Sequence, residues 1–308
     1  MPEIAEVFLM SQSISDIAYR QQISNIEILG GRHGPDKNGD SRAPENFKEL
    51  CDSLPMKLSE VKTKGKKCYL KLTNDNANVY YILISFGMSG SIYYEPTDEQ
   101  LLSANVSREI YMKHFHIKVC LNNNNSCFYY GDIRRFGTWQ IFTDTPSFEK
   151  QLDKLGPPIV DFNVKDYPKG FTDEDFVTIF RQKKNRQKII AQTLMNQEVI
   201  SGVGNYIRAE ALYRAKIYPF AKPDDLSDTD LILLSDNLHM IAVNAYHCQG
   251  TSLYTYTGAK KEKGNFQDFL HVYNKSVDPY GNPVKHEKTP DKRTIHWVPF
   301  IQTIGCVL

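Results

Sequence analysis

The chain opens with apolar residues at helical spacing. Ile4, Val7, Phe8, Ile14 and Ile17 recur with a period near that of an α-helix, which predicts an N-terminal helix ending at about residue 17. Pro2 and Glu3 stand at its start, where helices tolerate proline and favour an acid. From about residue 22 to residue 143 the pattern changes to short β-type runs: ISNIEIL, CYLKL, VYYILIS, SIYY, FHIKVCL, SCFYY and TWQIF. Gly, Asn, Asp and Pro clusters separate them, the mark of an antiparallel sandwich or barrel.

A second change falls at KLGPPIVDFNVKDYPKG, residues 154–170, where Pro and Gly concentrate and a domain boundary is expected. The pattern FTDEDFVTIFRQKKNRQKIIAQTLMN follows, with helical periodicity again at 204–217 and at about 226–248, the last opening on Ser and Asp as cap candidates. After about residue 251 the helix signal stops. Two β-type runs, FLHVYN and TIHWVPF, flank the turn-rich DPYGNPVKHEKTPDK and predict a terminal hairpin. The fold class expected is therefore α+β and multidomain, with a helix and β-sheet unit over 1–150, a linker over 151–165, a helical unit over 166–250 and a loop plus hairpin over 251–308.

Composition narrows the functional classes. At 308 residues, 41% hydrophobic and 24% charged, the chain fits a soluble globular protein of about two domains. Its net charge of +1 means that any surface for polyanions must be local. The six cysteines include no C-x-x-C pair and none near a His at zinc-ligand spacing, so no metal site is expected. The start MPEIAEVFLM lacks the features of a signal peptide, and reduced intracellular thiols are expected. No apolar run is long enough for a membrane span, and Cys306 misses the prenylation pattern by one place.

Three groups of residues carry candidate chemistry. Removal of Met1 ahead of the small Pro2 exposes a secondary amine, and an α-amino group with a pKa of roughly 7.7–8.0 is partly neutral near physiological pH. Attack by such an amine on a sugar C1′ gives an iminium ion that makes the C2′ proton removable. Glu3 and Glu6 lie beside it as acid and base candidates, although Pro with Glu at a helix start is also ordinary capping chemistry. In NQEVISGVGNYIRAEALYRAKIYP, residues 196–219, glycines 202 and 204 bracket a turn and Asn205 begins a helix, a place where backbone N–H groups and an amide could hold a phosphate. The basic stretches RQKKNRQK, TKGKK and 260–293 read mostly as solvated faces. GDIRRFGTW differs, since an Arg and a Phe at a strand turn could enter a duplex as a wedge.

Taken in order, these segments resemble the formamidopyrimidine-DNA glycosylase and endonuclease VIII family of base-excision repair enzymes. MPEIAEV is similar to the family's MPEGPEV start, TKGKKCYLKL to its R-G-K-y-L strand, SFGMSG to its L-G-M-S-G turn and GDIRRFG to its D-x-R-R-F-G. LGPPI resembles its L-G-P-D-P linker, and QEVISGVGNYIRAEALYRAKIYP its helix-two-turn-helix. GNFQDFLHVYNK and KRTIHWVPFIQ resemble the segments that lead into and close its zinc finger. Most of the family holds that finger with four cysteines, whereas the slots near Tyr280, Val298 and Ile301 carry none here. This resembles the zincless finger of the endonuclease VIII-like branch, and packing by Tyr273, Trp297, Pro299 and Phe300 would have to replace the metal.

The resemblance implies roles. Pro2 matches the nucleophile, Glu3 the acid that assists sugar opening and proton transfer, and Glu6 a second acid. Lys66, Asn205 and Arg293 match the phosphate-gripping groups, with Lys66 also in the catalytic set. Met88, Arg134 and Phe136 match the residues that fill the gap left by a flipped nucleotide, and Glu210 matches a supporting acid. Ile4 and Ala5 replace the family's Gly-Pro, and Asn196 replaces its Asp. The implied fold is an N-terminal helix on a two-layered antiparallel β-sandwich, then a helix-two-turn-helix unit and a zincless-finger hairpin. The implied activity is bifunctional: a glycosylase and abasic-site lyase that removes oxidised pyrimidines and ring-opened or further-oxidised purines through a Pro2 Schiff base with β,δ-elimination. No cofactor is required. The implied partner is damaged DNA, as duplex, single strand or bubble, bound by a monomer in the compartment that holds DNA: the nucleus, or the cytoplasm or viral factory if viral. The lesion-capping loop is expected around TSLYTYTGAKKEKG. The competing reading is a catalytically inactive lesion- or gap-binding protein, and a weaker one is a general single-strand or structural DNA binder.

Overall fold

The computed structural model describes residues 2–75, 78–95, 98, 101, 107–122, 126–251 and 264–303. Helix α1 runs Ile4–Ala18. Its N-cap is Glu3, so Pro2 lies one residue outside the helix rather than in its first turn. Strands follow as β1 Gln22–Ile28, β2 Met56–Lys64, β3 Lys67–Thr73, β4 Val79–Ser85, β5 Gly90–Tyr94, β6 Phe115–Leu121, β7 Cys127–Asp132 and β8 Thr138–Phe142. Short helices α2 Phe47–Asp52, α3 Arg108–Met112 and α4 Thr145–Leu152 punctuate them. β2 escaped the sequence pattern because MKLSEVKTK is mostly polar, and its apolar positions alternate only at the Met56–Leu58 end.

The strands form one hydrogen-bonded antiparallel sheet in the order β5-β7-β6-β1-β2-β3-β4-β8. The β1–β2 pair has only two partnered positions, Gln22 with Lys57 and Ile23 with Met56, and there the sheet folds over on itself. The outcome is two layers. Tyr130 on β7 and Trp139 on β8, far apart in strand order, bring their rings to 5.9 Å across the interior. Val7, Met10 and Ile14 of α1 join Leu70, Ile82, Ile84 and Phe128 in that core.

The second half is helical: α5 Asp173–Arg181, α6 Ile190–Thr193, α7 Asn205–Arg214 and α8 Asp228–His247. Buried Asn185 donates its side-chain N–H to the carbonyl of Ile179 at 2.8 Å, a local bond that competes with helix propagation where α5 ends. Ser227 caps α8 as its sequence indicates. A separate core gathers Phe176, Leu194, Ile207, Leu212, Leu234 and Trp297, and also takes Ile4 and Ala5 from the first turn of α1. Helix α1 thus belongs to both cores. Its N-terminus sits at the seam, which is where Glu3 and Glu6 are.

Three sequence expectations are corrected here. The terminal hairpin pairs β9 Lys285–Lys288 with β10 Thr294–Trp297, not FLHVYN with TIHWVPF. The backbone N–H groups of His271, Val272 and Tyr273 donate instead to the buried Glu210 carboxylate at 2.8–2.9 Å, which removes that segment from any strand ladder. Trp297 and Tyr273 pack inward as expected, but Pro299 and Phe300 are exposed, Phe300 by 85%. Aromatic partners from outside the hairpin do that packing: Tyr218 and Phe220 meet Trp297 at 5.0 and 6.4 Å, and Tyr273 meets His296 at 5.0 Å. Finally, Cys120 and Cys127 are joined as a disulfide, where reduced thiols were expected, because β6–β7 pairing sets the two residues opposite one another.

Candidate active site

The site is assembled where four elements meet at the seam. The β2–β3 turn carries Lys66 and is fixed by Gly65, whose φ of +56° suits glycine. A Cβ at Gly65 would lie 2.5 Å from that of Ser201, so the turn rests directly on the stretch before α7. The LGPPI stretch supports that stretch in turn. Ser201 donates to Pro157 through its backbone at 2.9 Å and to Gly156 through its hydroxyl at 2.8 Å, and Ile159 donates back to Ser201 at 3.0 Å. Gln197 then closes the two turns, accepting from Gly202 N–H and donating to the Val203 carbonyl, both at 3.0 Å. Asn196 performs an Asx turn, accepting from the N–H of Glu198 at 3.0 Å, a role that an Asp in its place would share.

Glu3 is almost fully buried. Its carboxylate accepts from the backbone N–H groups of Tyr206 at 2.9 Å and Ile207 at 3.3 Å, in the first turn of α7. Burial is the largest influence and raises its pKa to about 7, with Glu6 adding to the rise and Lys66 and the two backbone donors opposing it. Lys66 is perturbed in the complementary sense, lowered to about 8 chiefly by burial and further by the neighbouring Arg293 and Arg208, against the pull of Glu3 and Glu6. Glu3, Glu6, Lys66, Arg208 and Arg293 therefore share one electrostatic neighbourhood. Pro2, also buried, is the residue attached to it.

Glu6 ties three parts of the chain together. It accepts from the Glu3 N–H at 3.0 Å, the Tyr206 hydroxyl at 3.2 Å, and the Thr251 N–H and hydroxyl at 3.0 and 3.2 Å. Thr251 is one stem of the expected lesion-capping loop; the loop between it and Gly264 lies outside the described residues. Beside Glu3 opens a cavity of about 400 Å³ lined by Tyr206, Thr251, Gln267, Leu270, Tyr273 and Lys275 among others.

The remaining sequence-selected residues fall into two places. Asn205 stands at the start of α7, with its amide donating to the Thr294 carbonyl at 3.0 Å and its side chain also hydrogen-bonded to Tyr273. Arg293, half-exposed, closes the β9–β10 turn. Met88, Arg134 and Phe136 make a separate cluster on the β4–β5 and β7–β8 turns. All three are exposed, and the Arg134 guanidinium lies 5.5 Å from the Phe136 ring centre. Ser89 and Asp132 bind the two turns together, since the Arg134 N–H donates to the Ser89 hydroxyl at 2.9 Å and the Gly137 N–H to Asp132 at 2.7 Å. Among the described residues no group of three or more His, Cys, Asp or Glu could hold a metal ion, and no helix is long and apolar enough to cross a membrane.

Sequence reasoning missed Tyr206, Thr251, Asp291 and Arg208. For Arg208 a signal existed, a cation three residues after Asn205 and flanked by the apolar Ile207 and Ala209.

Known proteins resemble the chain along most of its length. Residues 1–139 match the formamidopyrimidine-DNA glycosylase N-terminal domain, residues 169–257 its H2TH domain and residues 260–303 its C-terminal domain. The chain is 25% identical over 309 residues to a formamidopyrimidine-DNA glycosylase of Ligilactobacillus salivarius, covering 99% of each protein, and 29% identical over 278 residues to one of a Shewanella species, covering 89% of this chain and 88% of that protein. Its fold resembles that of the Lactococcus lactis enzyme solved with a Fapy-dG-containing DNA, at a TM-score of 0.77 and 24% identity over 98% of this chain and all of that one. A second structure of the Lactococcus enzyme, with abasic-site DNA, gives 0.76 and 23% over the same shares. The chain belongs to the formamidopyrimidine-DNA glycosylase and endonuclease VIII family, and is a DNA glycosylase of the class that repairs oxidised bases.

Proposed function

We propose that this protein is a bifunctional glycosylase and abasic-site lyase acting on damaged DNA, and that Pro2, freed of Met1, is its nucleophile. The observation that carries the reading is that Pro2 is buried and adjoins Glu3, whose carboxyl is raised to about 7 while the nearby Lys66 ammonium is lowered to about 8. Groups tuned toward neutrality are suited to proton transfer at physiological pH. The amine attacks C1′ of the flipped nucleotide, the C1′–N bond breaks, and the base departs with a proton that Glu3 supplies. Ring opening leaves an iminium between Pro2 and C1′, and loss of the C2′ proton expels the 3′ phosphate, followed by the 5′ phosphate in δ-elimination. Lys66, Asn205 and Arg293 grip the phosphates around the lesion without reading sequence. Met88, Arg134 and Phe136, exposed on two tied turns, fill the vacated stack and offset the cost of flipping.

The substrate class follows from the endonuclease VIII-like character of the cysteine-free finger: oxidised pyrimidines and ring-opened or further-oxidised purines. The cavity beside Glu3 is roomy and lined by both polar and aromatic side chains, which suits a modified base presented edge-on. Borohydride trapping on abasic and oxidised-pyrimidine duplexes tests the reading. A covalent adduct mapped to Pro2, absent in Pro2→Gly, and base release lost in Glu3→Gln are expected. Binding without trapping, by a protein whose N-terminus is Pro2, would replace this reading with that of an inactive lesion sensor.

A further inference from the structure

Among the described residues Arg208 is the largest fully buried side chain, at 0% exposure. A guanidinium held entirely out of water needs several partners, and losing one of them costs far more than a surface contact. Its Nη2 donates to the Asn205 Oδ1 at 2.6 Å and to the Thr294 carbonyl at 3.4 Å; its Nη1 donates to the Ala191 carbonyl at 3.1 Å and the Thr289 hydroxyl at 3.5 Å. The Asp291 carboxylate stands 3.9 Å from Arg208 and 3.7 Å from Arg293, between the two guanidinium groups. Thr289 completes the link: its hydroxyl bonds to Asp291 and to the Arg293 carbonyl, and its N–H donates to that carbonyl at 2.9 Å.

These contacts join two places that sequence keeps far apart. Asn205 begins α7, Arg293 closes the β9–β10 turn, and Arg208 reaches both. Residues 264–303 contain no cysteine, so the turn is held by side-chain bonds of this kind rather than by thiolates. We propose that Arg208 is a positioning residue, a buried cationic strut that sets Asn205 and, through Thr289 and Asp291, Arg293 at the spacing required by two phosphates of the damaged strand. The proposal rests on the glycosylase reading above. In it Asp291 holds Arg293 in place before DNA arrives, and an incoming phosphate takes over as the partner of Arg293 while Arg208 keeps the carboxylate.

The test uses Arg208→Lys and Thr289→Val, each alone and combined with Arg293→Ala, on a duplex carrying a tetrahydrofuran abasic analogue. Thr289→Val keeps every charge and the side-chain shape, so it decides the matter if Arg208→Lys does not fold. Affinity is measured by anisotropy at several salt concentrations, and turnover on an abasic duplex at saturation. The expected result is a dissociation constant raised about tenfold in each single variant, with kcat held within about twofold. The slope of log affinity against log salt becomes shallower by about one, the loss of one phosphate contact. In the Arg293→Ala background Thr289→Val costs less than about twofold, since both changes remove one arrangement. Equal costs in both backgrounds, an unchanged salt slope, or kcat falling in step with affinity would each overturn the proposal and leave Arg208 a residue of the core. Wild-type protein that neither binds nor nicks the abasic duplex would instead sink the glycosylase reading on which it depends.

Discussion

The Glu3 carboxylate caps the helix that begins at Asn205, two hundred positions away, by accepting from the backbone N–H of Tyr206 at 2.9 Å. One acid thus serves the N-terminus of α1 in sequence and that of α7 in space. The positive end of the α7 dipole and two N–H donors hold the carboxylate in position, while burial keeps its pKa high enough for it to carry a proton.

Gly204 makes that contact possible. A Cβ there would lie 2.1 Å from the Glu3 Cδ, so Gly204→Ala displaces the carboxylate from the helix. Base release is expected to fall at least about tenfold and stability by about 1–3 kcal/mol, the usual cost of forced overpacking. Single-turnover kinetics and urea denaturation of the same preparation check both.

The pH dependence of base release follows from the couple between Glu3 and Lys66. A protonated Glu3 is needed to supply the leaving group's proton, so activity declines as pH rises through about 7. Lys66 lowers the Glu3 pKa, and its neutralisation in Lys66→Gln moves this alkaline limb to higher pH. A pH–rate profile of the two proteins gives the answer, and a limb that stays in place or moves down would refute the assignment.

Stability carries the same signature. The folded-state pKa of Glu3 lies above its ordinary value of 4.5, so the fold favours the neutral acid. Its contribution is complete below the ordinary carboxylate range and is lost as pH rises through about 7. Glu3→Gln does not titrate, so its Tm is expected to gain on that of the wild type between pH 5 and pH 8 in paired thermal scans.

Glu210 is expected to matter for folding before chemistry. Three backbone N–H groups converge on its buried carboxylate. Glu210→Gln turns an N–H of its own toward donors, and a loss of about 3 kcal/mol is expected by chemical denaturation. Because the segment it anchors includes Tyr273 on the cavity wall, lesion affinity is expected to drop as well, measured by titration below the unfolding transition.

Phe136 sits at the other extreme. At 53% exposure it supports little of the fold, and Phe136→Ala is expected to change stability by less than about 0.5 kcal/mol. Excision of a paired oxidised base is expected to slow, whereas nicking of an abasic site in single-stranded DNA, which needs no gap filled, stays the same. Equal effects on both substrates would remove Phe136 from the duplex interface.

Local pattern alone determined much of this protein. Periodicity located α1 and α8, and short β-type runs between turn clusters located β1 and the strands from β3 to β8, because each of these elements buries apolar residues whose spacing is set by its own backbone geometry. The order of motifs named Glu3, Glu6, Lys66 and Arg293, which share one electrostatic neighbourhood at the seam, but not Tyr206, Thr251, Arg208 or Asp291 beside them. What sequence could not show arises from partners distant along the chain. FLHVYN has a strand's composition, yet its N–H groups belong to Glu210, some sixty residues earlier. Phe300 has a core residue's character yet is 85% exposed, while Arg208 has a surface residue's character and lies wholly inside. Burial and hydrogen-bond partnership are properties of the assembled chain. The shifted pKa values of Glu3 and Lys66, and with them the chemistry available to Pro2, exist only once the sheet, the turn at Gly65 and the start of α7 have closed around them.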